Sequence, residues 1–286
     1  MNRWVLGARP RTLPAAVVPV LVGTAAAAGG GIVWWRAAVA MVVAVAIQVA
    51  TNYANDYADG VRGTDDARVG PVRLVASRLA SPAEVKRAAL VAGAVAAVAG
   101  LTLVSAVGPE VLVIGAASLA AGYLYTGGPR PYGYAGLGEV FVFLFFGVVA
   151  TTGSSYVQLD RVTLLALAAS VPVGFLATAL LVVNNLRDIR TDGATGKRTL
   201  AVRMGEPATR AFYGGLVVGA FLVLPVLALR RPLALLALLA VPLAARPLRV
   251  VSSQATGRAL LPALAETGRL SLVFGVLLAS GLALSA

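Results

Sequence analysis

The sequence contains no cysteine and no histidine. The first absence excludes disulfides and thiolate metal sites, and the second excludes imidazole ligands and imidazole acid–base catalysis. Any metal must therefore be a hard cation held by oxygen, Mg2+ or a close substitute. Charge is also scarce. Of the 286 residues, 13% are charged, against about a quarter in a water-soluble domain. Hydrophobic residues make up 59% and the mean hydropathy is +0.85. Such a chain cannot shield its apolar surface from water by folding alone. These numbers predict an all-α, polytopic membrane protein, because a helix satisfies its own backbone hydrogen bonds in lipid. Only two lysines accompany abundant Ala, Val, Gly and Arg, which points to a GC-rich bacterial genome.

What is present is a series of apolar segments long enough to span a bilayer. They fall near 12–29, 37–58, 84–107, 110–126, 136–157, 162–187, 207–229, 232–247 and 267–285, nine in all. The eighth is the shortest and is broken by Pro242 and Pro247. The first follows Arg3, Arg9 and Arg11 as a signal peptide would, but Pro10, Pro14 and Pro19 suit a signal core poorly. It reads as a retained first span. With the N-terminus in the cytoplasm, 20 of the 24 basic residues fall on the cytoplasmic side, leaving Arg36, Arg161, Arg230 and Arg231 opposite. The net charge of +12 is this positive-inside bias and not a nucleic-acid surface. The two longest polar connections, near 59–83 and 188–206, share the cytoplasmic face. No linker or low-complexity tail separates the segments, so residues 1–286 read as one domain of packed helices.

Six of the seven aspartates gather in two places: Asp56, Asp59, Asp65 and Asp66, then Asp188 and Asp192. In the second segment Gln48, Asn52, Asp56 and Asp59 share one helix face by spacing, with Asn55 on the same side; in the sixth, Asn184, Asp188 and Asp192 repeat every four residues beside Asn185. A carboxylate in a membrane segment costs about 2.5–3.5 kcal/mol on insertion scales and persists where it faces a polar cavity with a partner. Gathered carboxylates repel, and a divalent cation is the natural counter-charge. Mg2+ binds through one or two carboxylates plus substrate phosphate, so two facing sets suit a Mg2+-bridged diphosphate. Basic residues follow each cluster in glycine-containing loops. Arg68, Arg73 and Lys197 are placed to hold a diphosphate, whereas Arg78, Arg203 and Arg210 read as interfacial anchors. A third cytoplasmic element, YLYTGGPRPYGYAGLGE (123–139), brings Tyr123, Tyr125, Arg130, Tyr132, Tyr134 and Glu139 to the same face. Its aromatic faces suit an interface or a carbocation. Tyr53 and Tyr57 are further aromatic candidates.

Four stretches resemble the UbiA superfamily of intramembrane prenyltransferases: RPRTLPAAVVPVLVGTA (9–25), NYANDYADGVRGTDDARVGPVRLVASRLAS (52–81), YLYTGGPRPYGYAGLGEVFVFLFFG (123–147) and NNLRDIRTDGATGKRTLAVRMG (184–205). The superfamily signature is matched by Asn55, Asp56, Asp59 and Asp65, then Asp188 and Asp192. GPVRL and NNLRDIRTD…GKRTLAVR are similar to the branch that prenylates 1,4-dihydroxy-2-naphthoate in menaquinone synthesis. The pattern departs at Ser77-Arg78, where the resemblance leads one to expect Ser-Gly.

The resemblance implies Mg2+-dependent transfer of a polyprenyl group from polyprenyl diphosphate to that naphthoate, with decarboxylation, giving demethylmenaquinone. It places the protein in the bacterial cytoplasmic (inner) membrane, its active site at the cytoplasmic face. The expected metal set is Asn52, Asp56, Asp59, Asp65, Asp188 and Asp192. The expected catalytic set is Asp56, Asp59, Asp188, Asp192 and Lys197. Substrates would be held by Asn52, Arg68, Arg73, Arg130, Tyr123, Asn184 and Arg198. Phe141, Phe143, Phe145 and Phe146 are candidates to line the route of the prenyl tail, or ordinary core and lipid-facing residues. Asp66 has no assigned role. Rival readings are a family enzyme with another acceptor (4-hydroxybenzoate, haem, chlorophyllide or a sugar phosphate), an ion-coupled transporter, and a non-catalytic lipid-diphosphate binder.

Overall fold

The structure, a computed structural model, describes residues 2–65, 70 and 72–286. Every regular element among them is helical. A short helix α1 (Arg3–Ala8) leads into α2 (Pro14–Ala26), with a bend of 52° between the Arg3–Thr12 and Pro14–Ala26 parts. Then come α3 (Trp34–Val61), α4 (Pro82–Val107), α5 (Glu110–Leu124), α6 (Gly138–Leu159), α7 (Leu164–Ala194), α8 (Leu200–Ala228), α9 (Pro232–Ser252) and α10 (Gly257–Leu284). Seven of these are long and apolar enough to cross a membrane, or eight when the bent α1–α2 pair is taken as one span. The nine expected spans are thus an approximate count. The segment at 110–124 is apolar but has 15 residues, about 22 Å of helix against a hydrocarbon core of about 30 Å.

Local chemistry sets the helix ends. Ser81 and Glu84 form a reciprocal capping box at the start of α4, and the Thr163 hydroxyl accepts from the Ala166 N–H at the start of α7. Two boundaries differ from the sequence reading with consequences for the site. α3 runs to Val61 and α7 to Ala194, so Asp59, Asp188 and Asp192 lie within helices. α7 has 31 residues, about 46 Å, so its aspartate-bearing turns extend beyond one hydrocarbon thickness. α8 breaks at Gly205 (φ 78°, ψ 165°), and Pro207 starts its second part.

α7 is the central post, largely buried, whereas little of α4 is buried. A continuous apolar core joins α2, α7, α8, α9 and α10 through Val22, Leu176, Leu216, Ala237 and Phe274. A smaller cluster (Val20, Ala40, Leu103, Val157) ties in α3, α4 and α6. Leu90, Val98, Val113, Leu164 and Leu229 remain exposed, as lipid-facing residues of a multi-pass membrane protein do. In α6 the stretch Phe143–Val149 is a π-helix. There Gly147 meets Gly174 of α7, and a Cβ built on Gly147 would lie 2.5 Å from the Gly174 Cα.

This close crossing predicts that Gly147→Ala lowers stability by about 1–3 kcal/mol, read as a lower thermal midpoint in detergent. Gly93→Ala on α4, where an added Cβ meets nothing within 4 Å, leaves the midpoint unchanged or raises it. Equal effects from the two would contradict the packing.

Candidate active site

A cavity of about 820 Å³ opens among α2, α3, α4, α5, α6 and α7. One end is polar, lined by Gln48, Asn52, Asn55, Asp59, Arg73, Asn184, Asn185, Asp188, Asp192 and Lys197. The other is apolar, lined by Leu101, Val104, Leu112, Leu119, Phe141, Phe145, Phe146 and Val149. Phe141 and Phe145 stack 6.0 Å apart. Phe143, grouped with them from sequence, instead faces α7 and packs on Phe175 at 5.7 Å. It stands two positions from Phe141 and from Phe145, which turns it to the other side of a helical segment.

Lys197 organises the polar end. The turn after α7 contains Gly196 in the left-handed region (φ 78°), and the Lys197 N–H donates to the Asp192 carbonyl at 2.9 Å. The chain thereby folds back and sends the ammonium toward α3. Lys197 Nζ lies 3.7 Å from Asp59 Oδ2 and 3.9 Å from Asp192 Oδ1. It also sits 5.0 Å from the Tyr134 ring centre, a cation–π distance. The Tyr134 hydroxyl donates to Asp59 Oδ1 at 2.6 Å. Asp59 is only 1% exposed, and these partners compensate its buried charge. Burial first, and then the Asp59 carboxylate, push the Tyr134 phenol up to about 12. A raised phenol favours the neutral form in the fold. Its contribution is therefore whole below 10, the ordinary tyrosine value, and is lost only as pH rises through about 12.

The second aspartate set has its own counter-ion. Arg187, 3% exposed, grips Asp188 with Nε at 2.8 Å and Nη2 at 2.5 Å. Sequence reasoning passed over Arg187 because adjacent helical residues point about 100° apart; the long guanidinium folds back over its neighbour. Asn185 Nδ2 donates to the buried Glu139 at 2.9 Å, tying α7 to the start of α6. In α3, Gln48 and Asn52 are hydrogen-bonded to each other and to Thr12, and Asn55 accepts from Thr126 at 2.6 Å. The cavity row is therefore Gln48, Asn52, Asn55, Asp59.

Several expected residues fall elsewhere. Asp56 is fully buried but is not among the residues lining the cavity. It is one step of about 100° past Asn55, and its carboxylate accepts from Leu74 N at 2.8 Å and Val75 N at 3.0 Å. Asp65 likewise does not line the cavity; it pairs with Arg73 Nε at 3.2 Å. Tyr123 is 60% exposed, and the tyrosines of the 123–139 element that line the cavity are Tyr125 and Tyr132. Arg130 and Arg198 are exposed and also off the lining. The Arg198 backbone N–H donates to the Tyr134 carbonyl at 3.1 Å, which docks its loop against the tyrosine element. Arg68 and Asp66 lie outside the described residues. Arg78, standing where the resemblance calls for glycine, adopts φ 58°, the left-handed region that glycine favours. Arg62, unassigned from sequence, donates to the carbonyls of Thr126 and Gly128 and so joins the end of α3 to the YTGG turn.

Among the described residues no three carboxylates group as a metal cluster. One carboxylate from each of two helices facing a common point is a different arrangement, and here a cation, the Lys197 ammonium, already occupies that point.

The profile of the UbiA prenyltransferase family matches residues 16–260. The chain belongs to the UbiA prenyltransferase family. A 1,4-dihydroxy-2-naphthoate octaprenyltransferase of Mycobacterium tuberculosis is 51% identical, with 98% of this chain and 97% of the relative covered. The enzyme of the same name from Escherichia coli is 36% identical, covering 99% and 95%. The fold matches that of a UbiA homolog from Archaeoglobus fulgidus bound to GPP and Mg2+, with TM-score 0.72 at 15% identity over 98% of this chain and 99% of that one. The aspartate–lysine cavity is thus part of a UbiA fold.

Tyr134→Phe removes the hydrogen bond to the Asp59 carboxylate. The activity of the family, assayed at saturating metal, is expected to fall about tenfold while the protein accumulates normally. An unchanged rate would show that the bond carries no function.

Proposed function

We propose that this protein transfers a polyprenyl group from polyprenyl diphosphate to 1,4-dihydroxy-2-naphthoate in the bacterial cytoplasmic membrane, with its aspartate-bearing end and N-terminus toward the cytoplasm. The observation that carries this is one cavity joining a cationic, oxygen-rich end to an apolar interior. A polyprenyl diphosphate has that polarity. The naphthoate is supported by the names of the relatives.

The donor set fits Mg2+. It is all oxygen, and the point between Asp59 and Asp192 already carries a positive charge. Asp59 and Asp192, with Asp188 beside them, would hold the ion, which asks of a protein only one or two carboxylates plus substrate phosphate. When bound, Mg2+ neutralises the diphosphate and stabilises it as a leaving group. Arg73 supplies fixed positive charge to the diphosphate oxygens, and Lys197, giving up its place between Asp59 and Asp192 to the ion, would turn its ammonium to them. Arg187 holds Asp188 in one orientation, and Tyr134 does the same for Asp59. Tyr125 and Tyr132, at the border of the polar end, offer ring faces to positive charge developing on the allylic carbon. The prenyl C1–O bond breaks, the new bond joins C1 to the naphthoate ring, and the ring carboxylate leaves as CO2. The product is the quinol form of demethylmenaquinone. The long tail extends past Phe141, Phe145 and Phe146 toward lipid.

Mass spectrometry of products from purified protein, a defined polyprenyl diphosphate and a panel of acceptors tests this reading. The expected product is the decarboxylated prenyl naphthalenediol, formed only with divalent cation and abolished in Asp59→Ala and Asp192→Ala. A product formed only from 4-hydroxybenzoate or another acceptor would refute the naphthoate assignment, and retained turnover in either variant would refute the shared cation site.

A further inference from the structure

Asp56 stands beside the aspartates of the site, yet its carboxylate serves the backbone of another segment. Its two oxygens take the successive N–H groups of Leu74 and Val75, at 2.8 and 3.0 Å. Charge-assisted bonds of this kind are about twice as strong as neutral ones, and Asp56 makes them fully buried. The surrounding packing holds the same segment. Leu74 is 0% exposed in a socket shared with Tyr53 and Val85. Gly60, one turn beyond Asp56, lets the segment approach closely, since a Cβ there would lie 2.6 Å from Val75 Cβ.

The residue just before this anchor is Arg73. It is 7% exposed, lines the cavity and is steadied by Asp65 at 3.2 Å. Its Nη1 is buried with no hydrogen-bond partner among the described residues. A buried guanidinium nitrogen without an acceptor is costly to leave unsatisfied, and a diphosphate oxygen would satisfy it. The backbone that fixes where this guanidinium sits is the one held by Asp56.

We propose that Asp56 is a positioning residue: its carboxylate clamps the Leu74–Val75 backbone so that Arg73 presents its guanidinium to the donor diphosphate. The proposal rests on the prenyltransferase reading for its ligand, and it separates Asp56 from the cation-holding carboxylates Asp59 and Asp192.

Two measurements on Asp56→Asn test it. The first needs no activity. Hydrogen–deuterium exchange in detergent should show the Leu74 and Val75 amides losing protection in the variant, while the amides of α7 keep theirs. Retained protection at 74–75 overturns the clamp. The second is kinetic. Asp56→Asn should raise KM for the prenyl diphosphate about tenfold or more, with the Mg2+ concentration for half-maximal rate unchanged. In an Arg73→Gln background the same change should add less than about twofold. Multiplicative effects, or a shifted Mg2+ requirement like that of Asp59→Asn, overturn the proposal. If Asp56→Asn does not accumulate, Asp56→Ser, whose hydroxyl keeps one acceptor, carries both measurements with the same deciding outcomes. Should the wild-type protein transfer no prenyl group, the proposed function fails while amide exchange still decides the clamp.

Discussion

The Lys197 ammonium stands between the Asp59 carboxylate of α3 and the Asp192 carboxylate of α7, and the polar end of the cavity is built around that position. Without a cation between them the two carboxylates would repel in a poorly solvated setting. With one, the ends of two long helices are held toward a common point. Tyr134 adds a hydrogen bond to Asp59 and a ring face to the ammonium, which brings the segment between α5 and α6 into the same arrangement. Arg62 and the Arg198 backbone fasten that segment from α3 and from the loop after α7. In the proposed function a diphosphate with its metal ion would enter this site, where charge is already balanced across the same gap.

The membrane imposes the rest. Helices of 28 and 31 residues are longer than the hydrocarbon requires, and their extra turns carry the ionisable groups. α5, at 15 residues, is short and borders the cavity on its apolar side. One chamber therefore runs from charged helix ends to aromatic and aliphatic side chains. That is the polarity of an amphiphile with an anionic head and a long apolar tail. A transporter reading would place its carboxylates near the midplane; here they occupy the last turns of α3 and α7.

Much of this was legible in the sequence. Hydropathy located the helical segments, the four-residue spacing of Asn184, Asp188 and Asp192 located a cavity-lining row on α7, and the glycine-containing loop pointed to Lys197. What was not legible turned on angles of about 100° and on the reach of long side chains. Asn55 and Asp56 are adjacent, and spacing from Gln48 and Asn52 placed both on the same side. The fold gives the cavity to Asn55 and turns Asp56 to the 74–75 backbone. Tyr123 and Tyr125 divide in the same way between the exterior and the cavity. Arg187 was hidden because helix periodicity does not describe a guanidinium folding back on its neighbour. Arg78 shows the opposite case. Its departure from the expected glycine was visible as a letter, and its φ of 58° gives that letter a conformational meaning.

The central claim is that α3 and α7 hold one shared cation site through Asp59 and Asp192. Electron paramagnetic resonance of Mn2+ binding to the purified protein, in the presence of an unreactive prenyl thiodiphosphate, tests it most directly. The account predicts bound Mn2+ in the wild type and its loss in both Asp59→Asn and Asp192→Asn, each alone being sufficient. Binding that survives undiminished in either variant would contradict it.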